Sequence, residues 1–407
     1  MPKVNAWRVY LNPFDDQGVY SGWVDVTKDV VFDSLGQITE NLDNTDFDVG
    51  IFRNAAVTFV VRNDGGKYSD VDNPHSIFRF RRTGTQFKLT WEVDPDCNVE
   101  VADADSSWVS EEIDIFKGIL NDDGAAQDLE TSQISFSVLG RETLLDNDSV
   151  PFTLLANGNL FSAALYTVLN RPIMTALVTV SAINITCGTD QTIDDISSFE
   201  GMTLLEATQA LLAASNSVMR IVNDILYISP RTASAALQNT FYGQASSAGA
   251  ESVQTIRNIR SGIAKTFNYC TWTSTTIVVE DATSVAKYGV RKKDIAYDFI
   301  TDTTKREAIL QSLVTEFLNP KQEFELVAPV SYANILLRLL DKVAVDYPTI
   351  HLPWDHDLPI CGNAICGSWW TPPALWNFQV SSTDYYKIIG RTLDTKNGLV
   401  RFTLRAA

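Results

Sequence analysis

A three-part pattern occurs twice in this chain of 407 residues, once around residue 120 and once near its C-terminal end. An aromatic-Lys strand runs to a Gly, a short polar stretch rich in Asp follows, and an alternating strand closes on Arg. The first copy reads Phe116-Lys117-Gly118 to Arg141, the second Tyr386-Lys387 with Gly390 to Arg405. Each copy follows another alternating or apolar strand that carries a Lys, Phe87 to Val93 in one case and Leu340 to Val345 in the other. Apolar groups at every second position mark half-buried strands, so the pattern predicts two related β-barrels in one chain. Such a doubling presents two similar surfaces to a ring-shaped partner.

At this length a prior of one domain per 100–200 residues predicts roughly two to four domains. An apolar content of 45% with 20% charged residues argues against wholesale disorder. The formal charge of -18 argues against sequence-independent gripping of DNA and against anionic bilayers, both of which call for clustered Lys and Arg. The N-terminal stretch lacks the apolar centre of a signal peptide, and no run of about 18 apolar residues offers a membrane span. Five cysteines, Cys97, Cys187, Cys270, Cys361 and Cys366, do not form a secreted disulfide framework, and folding in a reducing cytosol is expected.

The fold class read from these signals is α+β, mainly β. Residues 1–150 form a first β-barrel: Val57, Phe59 and Val61 alternate, as do Phe87, Leu89, Trp91 and Val93, and Asn63-Asp64-Gly65-Gly66 supplies turn chemistry. Asp94-Pro95-Asp96 opens a long acidic loop to Glu112. Near Pro151 the period changes, and 151–235 reads as a small α/β domain. Its first helix carries Leu160, Ala164 and Val168, with Asn159 as the N-cap. Thr203 and Glu206 form a capping box for a second helix, and Val218 to Ser229 is a hairpin turning at Asn223-Asp224. Residues 236–254 read as a linker or mobile loop. Residues 255–407 form the second β-barrel, with a clear strand at Thr275 to Glu280. Into it are inserted a helix at 302–319, carrying Ile309, Leu313 and Phe317, and a Cys/His/Trp-rich loop at 347–373.

Residues 255 to 345 resemble an order of elements in bacteriophage tail-tip or baseplate hub proteins. The matching positions are Arg257-Asn258-Ile259, Ser284-Val285-Ala286-Lys287-Tyr288-Gly289, Arg291-Lys292-Lys293-Asp294, the helix to Phe317, and Leu340-Asp341-Lys342-Val343. The N-terminal part resembles the same group in Asp25-Val26-Thr27-Lys28-Asp29-Val30, in Asn63 to Ser69 and in Phe116-Lys117-Gly118. The resemblance implies a non-enzymatic virion protein of the tail tip or baseplate, made in the bacterial host cytoplasm. It implies a homotrimer whose two barrels per chain meet the six-fold tail tube or distal-tail ring, adapt it to three-fold tail-tip and fibre proteins, and surround the DNA exit channel. An acidic channel lets phage DNA slide through without specific binding.

One constellation carries metal-binding chemistry: His351, His356, Cys361 and Cys366, with Asp355 between the histidines. Imidazole and thiolate close zinc sites and hold iron-sulfur groups, but the Cys-x4-Cys spacing is not the usual knuckle. A disulfide and plain side chains are the other readings, so no cofactor is assigned. Trp354, Trp369, Trp370 and Trp376 suit a protein interface, a loop core or sugar stacking. Two rival functions follow from this tract: a hexameric distal-tail adaptor ring with a loop for host carbohydrate, and a metal-dependent hydrolase centred on His351 and His356. Asp43, Asp46 and Asp48, or Asp122 and Asp123, read as solvated turns before calcium ligands. Nucleophile-elbow, phosphate-loop, dinucleotide and His-Glu-x-x-His motifs are all absent from the sequence.

Overall fold

The computed structural model describes residues 6–42, 52–54, 57–69, 73–93, 111–128, 132–151, 153–233, 236–242, 251–252, 255–260, 262–346 and 385–406. In chain order the first strands are β1 (Ala6–Asn12), β2 (Val24–Asp25), β3 (Ile38–Leu42), β4 (Phe52–Asn54), β5 (Val57–Arg62), β6 (Gln86–Val93), β7 (Glu111–Asp128) and β8 (Gln133–Gly140). A middle stretch adds α1 (Phe161–Leu169), α2 (Pro172–Thr175), α3 (Leu204–Ala214), β9 (Ser217–Val222) and β10 (Ile225–Pro230). Next come β11 (Leu237–Tyr242), β12 (Glu251–Ser252), β13 (Thr255–Arg260), β14 (Tyr269–Trp272), β15 (Val278–Glu280), α4 (Ala282–Tyr288), β16 (Lys292–Ile295) and α5 (Thr303–Phe317). The last are β17 (Glu323–Pro329), α6 (Tyr332–Leu336), β18 (Lys342–Asp346), β19 (Tyr385–Asp394) and β20 (Leu399–Ala406).

Two large sheets make the protein mainly β. The first has six strands in the order β2-β1-β6-β7-β8-β5. The second has nine, running β12-β11-β18-β19-β20-β17-β13, with β3 joined to β19 and β4 to β3. Inside them, β6-β7-β8-β5 and β18-β19-β20-β17 share their strand order, their antiparallel sense and their succession along the chain. The twofold occurrence of the sequence pattern is therefore a repeated four-strand topology. Alternation explains the strands: Ile134, Phe136 and Val138 of β8 and Val400, Phe402 and Leu404 of β20 are buried. Burying each of the two phenylalanines contributes about 1.5–3 kcal/mol.

The glycines of the pattern are places of close approach. A Cβ on Gly118 would press on the Leu139 carbonyl oxygen and the Val138 side chain, and one on Gly390 would meet Asn41 Oδ1 at 2.5 Å. A larger residue at Gly118 would hold the neighbouring strand away, whereas one at Gly390 would displace the Asn41 and Thr403 side chains.

Apolar packing divides differently from the linear order of the chain. Both sheets contribute to one core cluster, which includes Phe59, Phe87, Phe136, Phe324, Tyr386 and Phe402. A second cluster joins α1, α3 and the β9-β10 hairpin to residues 267–317, including Phe267, Trp272, Ile309, Leu313 and Phe317. The inserted helix, expected within the second barrel, thus buries its stripe against the middle of the chain. Phe317 stacks on Phe267 at 4.5 Å, and Asn216 Nδ2 donates to Ser312 Oγ at 3.1 Å. A four-residue apolar spacing says that a helix face is buried, but it does not say against which partner.

Local features follow the sequence reading at several points. Thr203 and Glu206 make the capping box, and Asp302 caps α5 by accepting from Lys305 N at 3.0 Å. Asn223 and Asp224 both take positive φ, 49° and 63°, as a two-residue hairpin turn requires. Other points differ. The N-cap of α1 is Leu160, while Asn159 Oδ1 accepts from Ala156 N at 2.6 Å in the preceding turn. The strand expected at Thr275 to Glu280 is confined to β15, Val278–Glu280, after a turn held by Thr275. The stretch 236–254, expected as linker, contains β11 and β12. β11 buries only Phe241 and pairs in parallel with the distant β18, which leaves little local periodicity to read.

Candidate functional site

The repeated topology carries one repeated polar device. In the first sheet Lys88 of β6 pairs in register with Lys117 of β7, and Gly118 faces Gly140, which brings Arg141 beside Lys117. In the second sheet Lys342 of β18 faces Lys387 of β19, which faces Arg405 of β20. The second sheet therefore carries a Lys-Lys-Arg row across three adjacent strands, and the first carries the matching Lys-Lys pair with Arg141 as the residue that follows β8.

The central and last of these residues in each sheet hold the parts of the chain together. Lys117 Nζ and Arg141 Nη1 both reach the Asp224 carboxylate at 2.6 Å, at the turn of the β9-β10 hairpin. Arg141 Nη1 also donates to the Leu177 carbonyl at 3.2 Å. Where β10 ends, Lys387 Nζ donates to the Arg231 carbonyl oxygen at 2.7 Å. The hairpin is thus fastened at its turn by one sheet and at its exit by the register-equivalent lysine of the other. Arg405 is committed elsewhere, to buried Glu323 through Nε at 2.7 Å and Nη2 at 2.6 Å. The first members stack on aromatic rings: Lys88 Nζ lies 4.4 Å from the Tyr10 centroid, Lys342 Nζ 3.9 Å from that of Tyr385.

Around Asp224 lies a small solvent-open crevice of about 70 Å³, where both sheets and the hairpin meet. Its lining includes Glu40, Asp114, Lys117, Arg141, Arg220, Asp224 and Arg338. Arg338 Nη2 donates to the Asp114 carbonyl at 3.2 Å, and Arg220 Nη1 donates to the Leu339 carbonyl at 3.2 Å. Arg391 Nε pairs with Glu40 at 2.9 Å, tying β19 to β3. Burial and the neighbouring charge of Arg391 lower the Arg338 pKa to about 10. Burial alone would raise the Asp224 carboxyl, but the Lys117 hydrogen bond and the Arg141 charge outweigh it and hold its pKa below the usual carboxylate value. Burial holds the Lys387 ammonium below its ordinary value. Asp224 and Asp114 both bind Lys117, so the crevice's carboxylates are engaged as structural partners.

The family-like segments have structural reasons. Asp29 accepts from Lys67 Nζ and from the Tyr68 hydroxyl, each at 2.6 Å, and Asn63 Oδ1 accepts from Tyr68 N at 2.7 Å. The Asp25 to Val30 and Asn63 to Ser69 motifs are therefore two halves of one part-buried contact, and burial of Tyr68 with its hydrogen bond to Asp29 pushes the phenol well above its usual range. Gly289 ends α4 at φ 74°.

His351, Asp355, His356, Cys361, Cys366 and the tryptophans of their tract lie outside the described residues, as do Asp43, Asp46 and Asp48 and the side chains of Asp122 and Asp123. Among the described residues no group of three or more His, Cys, Asp or Glu is placed to hold a metal ion. Cys187 and Cys270 are free thiols, and burial pushes them up to about 11 and about 12. No helix among the described residues is long and apolar enough to cross a membrane. The sequence pattern contained Lys117, Arg141, Lys387 and Arg405. It did not reveal Asp224, which reads only as a turn residue.

No protein-family model and no curated protein matches the chain. Its fold is that of phage tail proteins. A tail protein from Neisseria meningitidis superposes with a TM-score of 0.53 at 12% identity, covering 99% of this chain and 96% of that one. Prophage tail protein gp18 from Listeria monocytogenes gives 0.51 at 9% identity, covering 98% and 94%. A Francisella PdpA-VgrG complex gives 0.51 at 9% identity, covering all of this chain and 53% of the other.

Proposed function

We propose that this chain is a structural protein of a phage tail, a trimeric hub at the tail tip or baseplate. In this reading the two sheets are the barrels, the first built within 1–150 and the second from the strands after residue 236 with β3 and β4 added to it, and they alternate round a central channel. Three chains then present six related surfaces to the six-fold tail tube, while the remaining faces serve three-fold distal and fibre proteins. The observation that carries the reading is the repeated β6-β7-β8-β5 topology with its register-matched Lys-Lys pair. A closed ring of three can offer six similar contacts only if each chain contributes two. The likeness in fold to tail proteins supports the same class. The net charge of -18 suits a channel through which DNA passes without binding. The role is assembly, with no catalytic step assigned.

Mass photometry with negative-stain imaging of the purified protein tests this. Three chains in a three-fold ring are expected. A monomer at micromolar concentration overturns the reading, and six chains in a ring point to the hexameric adaptor.

A further inference from the structure

Asn is followed by Gly twice in the chain, at Asn157-Gly158 and at Asn397-Gly398, and both asparagines are exposed. In this dipeptide the main-chain nitrogen reaches the side-chain amide with the least obstruction, because Gly has no Cβ to shield it. The fold treats the two pairs differently. At the first, Gly158 N donates to the Ile193 carbonyl at 2.8 Å and Asn157 Oδ1 accepts from Ile196 N at 2.9 Å, so the attacking nitrogen and its target are both tied down. The second pair lies in the turn between β19 and β20. There no acceptor among the described residues takes the Gly398 N–H, and the space beside the Gly398 Cα is open. The Asn397 amide is held by a single bond, Nδ2 donating to Asp394 Oδ2 at 2.8 Å.

We propose that Asn397 is a site of spontaneous deamidation in the folded protein, and that the reaction loosens the seam between β3 and β19. The Gly398 nitrogen gives its proton to solvent and bonds to Asn397 Cγ. The Cγ–Nδ2 bond then breaks, and ammonia leaves with a proton taken from solvent. Water opens the resulting succinimide at either carbonyl, which yields Asp or isoaspartate and consumes no oxidant or cofactor. The seam is affected through Asp394, whose Oδ2 accepts from Asn397 Nδ2 and also from Gln37 Nε2 at 3.2 Å. Gln37 leads directly into β3, which pairs with Gly390 to Leu393 of β19. Burial alone would raise the Asp394 carboxyl, but the hydrogen bonds from Asn397 outweigh it and hold its pKa below the usual value, so Asp394 is ionised at neutral pH. Deamidation thus replaces a donor to Asp394 with a second carboxylate. Isoaspartate also adds one carbon to the main chain of a turn whose Gly398 carbonyl accepts from Val330 N at 2.8 Å.

The test ages the full chain at mildly alkaline pH, folded and in denaturant, and follows both asparagines by mass spectrometry of peptides cut with pepsin in acid, where cyclisation halts. In the folded chain Asn397 is expected to react at least about ten-fold faster than Asn157, which must wait for a local opening, and in denaturant the two rates should converge. Asn397→Gln, whose longer side chain closes a less favoured six-membered ring, should stay unmodified over the same period. Asn397→Asp stands in for one product and should speed hydrogen exchange of the β3 amides roughly two- to five-fold while leaving the α3 amides unchanged. Equal rates at the two sites in the folded chain overturn the proposal, as does an Asn397 that stays intact in the folded chain while the denatured chain converts. Reaction at Asn397 with unchanged β3 exchange in Asn397→Asp overturns the effect on the seam.

Discussion

Replacing Asp224 with Asn should loosen the middle of the chain from the first sheet. Asn keeps the turn and the shape but removes the charge that Lys117 and Arg141 share at 2.6 Å each. The Arg141 side chain is only 5% exposed, so it would be left without its charge partner in a largely dry site. Hydrogen bonds to charged groups contribute about 1.5–3 kcal/mol each. The Asp224 side chain is 42% exposed, so solvent screening favours the low end, about 2–3 kcal/mol for the pair. Hydrogen exchange of the hairpin amides reads this directly, because Thr179 N bonds the Asp224 carbonyl and Leu226 N bonds the Thr179 carbonyl. A tenfold change corresponds to 1.4 kcal/mol, so these amides should exchange roughly 30- to 130-fold faster. Lys117→Ala, which leaves Arg141 on the carboxylate, should have a smaller effect. The pH dependence has a definite sign. The folded-state pKa of Asp224 lies below its unfolded value, so the fastening is complete at neutral pH and is lost as pH falls through the folded value, below about pH 4. Protection in Asp224→Asn within threefold of the wild type would refute the argument that this carboxylate fastens the hairpin.

Three further outcomes are expected. Gly118→Ala should cost about 2–3 kcal/mol in denaturant unfolding, because the added methyl meets the fixed Leu139 carbonyl, whereas Gly390→Ala should cost less because it meets side-chain ends of Asn41 and Thr403. Glu323→Ala should destabilise by about 3–5 kcal/mol by removing the carboxylate that buried Arg405 holds through Nε and Nη2, while Glu323→Leu with Arg405→Met should lie near the wild type in thermal melting. Thr203→Ala should remove the α3 capping box and lower stability by about 1 kcal/mol, read from the same melts.

What could be read from the sequence was set by range. The capping box at Thr203, the turn at Asn223-Asp224 and the stripe Ile309, Leu313, Phe317 are local, and they fold as their spacing requires. The Lys-Gly and Arg pattern was visible because duplication wrote it twice. Which core receives α5 was not visible, since an apolar stripe carries no address. β11 was hidden because its longer ladder runs to β18, about a hundred residues away, and only Phe241 turns fully inward. Asp224 gave no sign of its role, because the cations that define it belong to other elements, 83 and 107 residues distant.

The attachment of β3 to β19 has a consequence for how the protein is made. Residues 38–41 must find 390–393 across almost the whole chain, and the Gln37 side chain bonds Asp394 over a separation of 357 residues. At a translation rate of about 5–20 residues per second, β3 waits roughly 20–70 s on the ribosome before its ladder partner exists. During that interval its edge is open to other nascent strands. Expression of residues 1–150, which contain β3, as a separate fragment should therefore yield aggregates that co-expression of the C-terminal strands relieves.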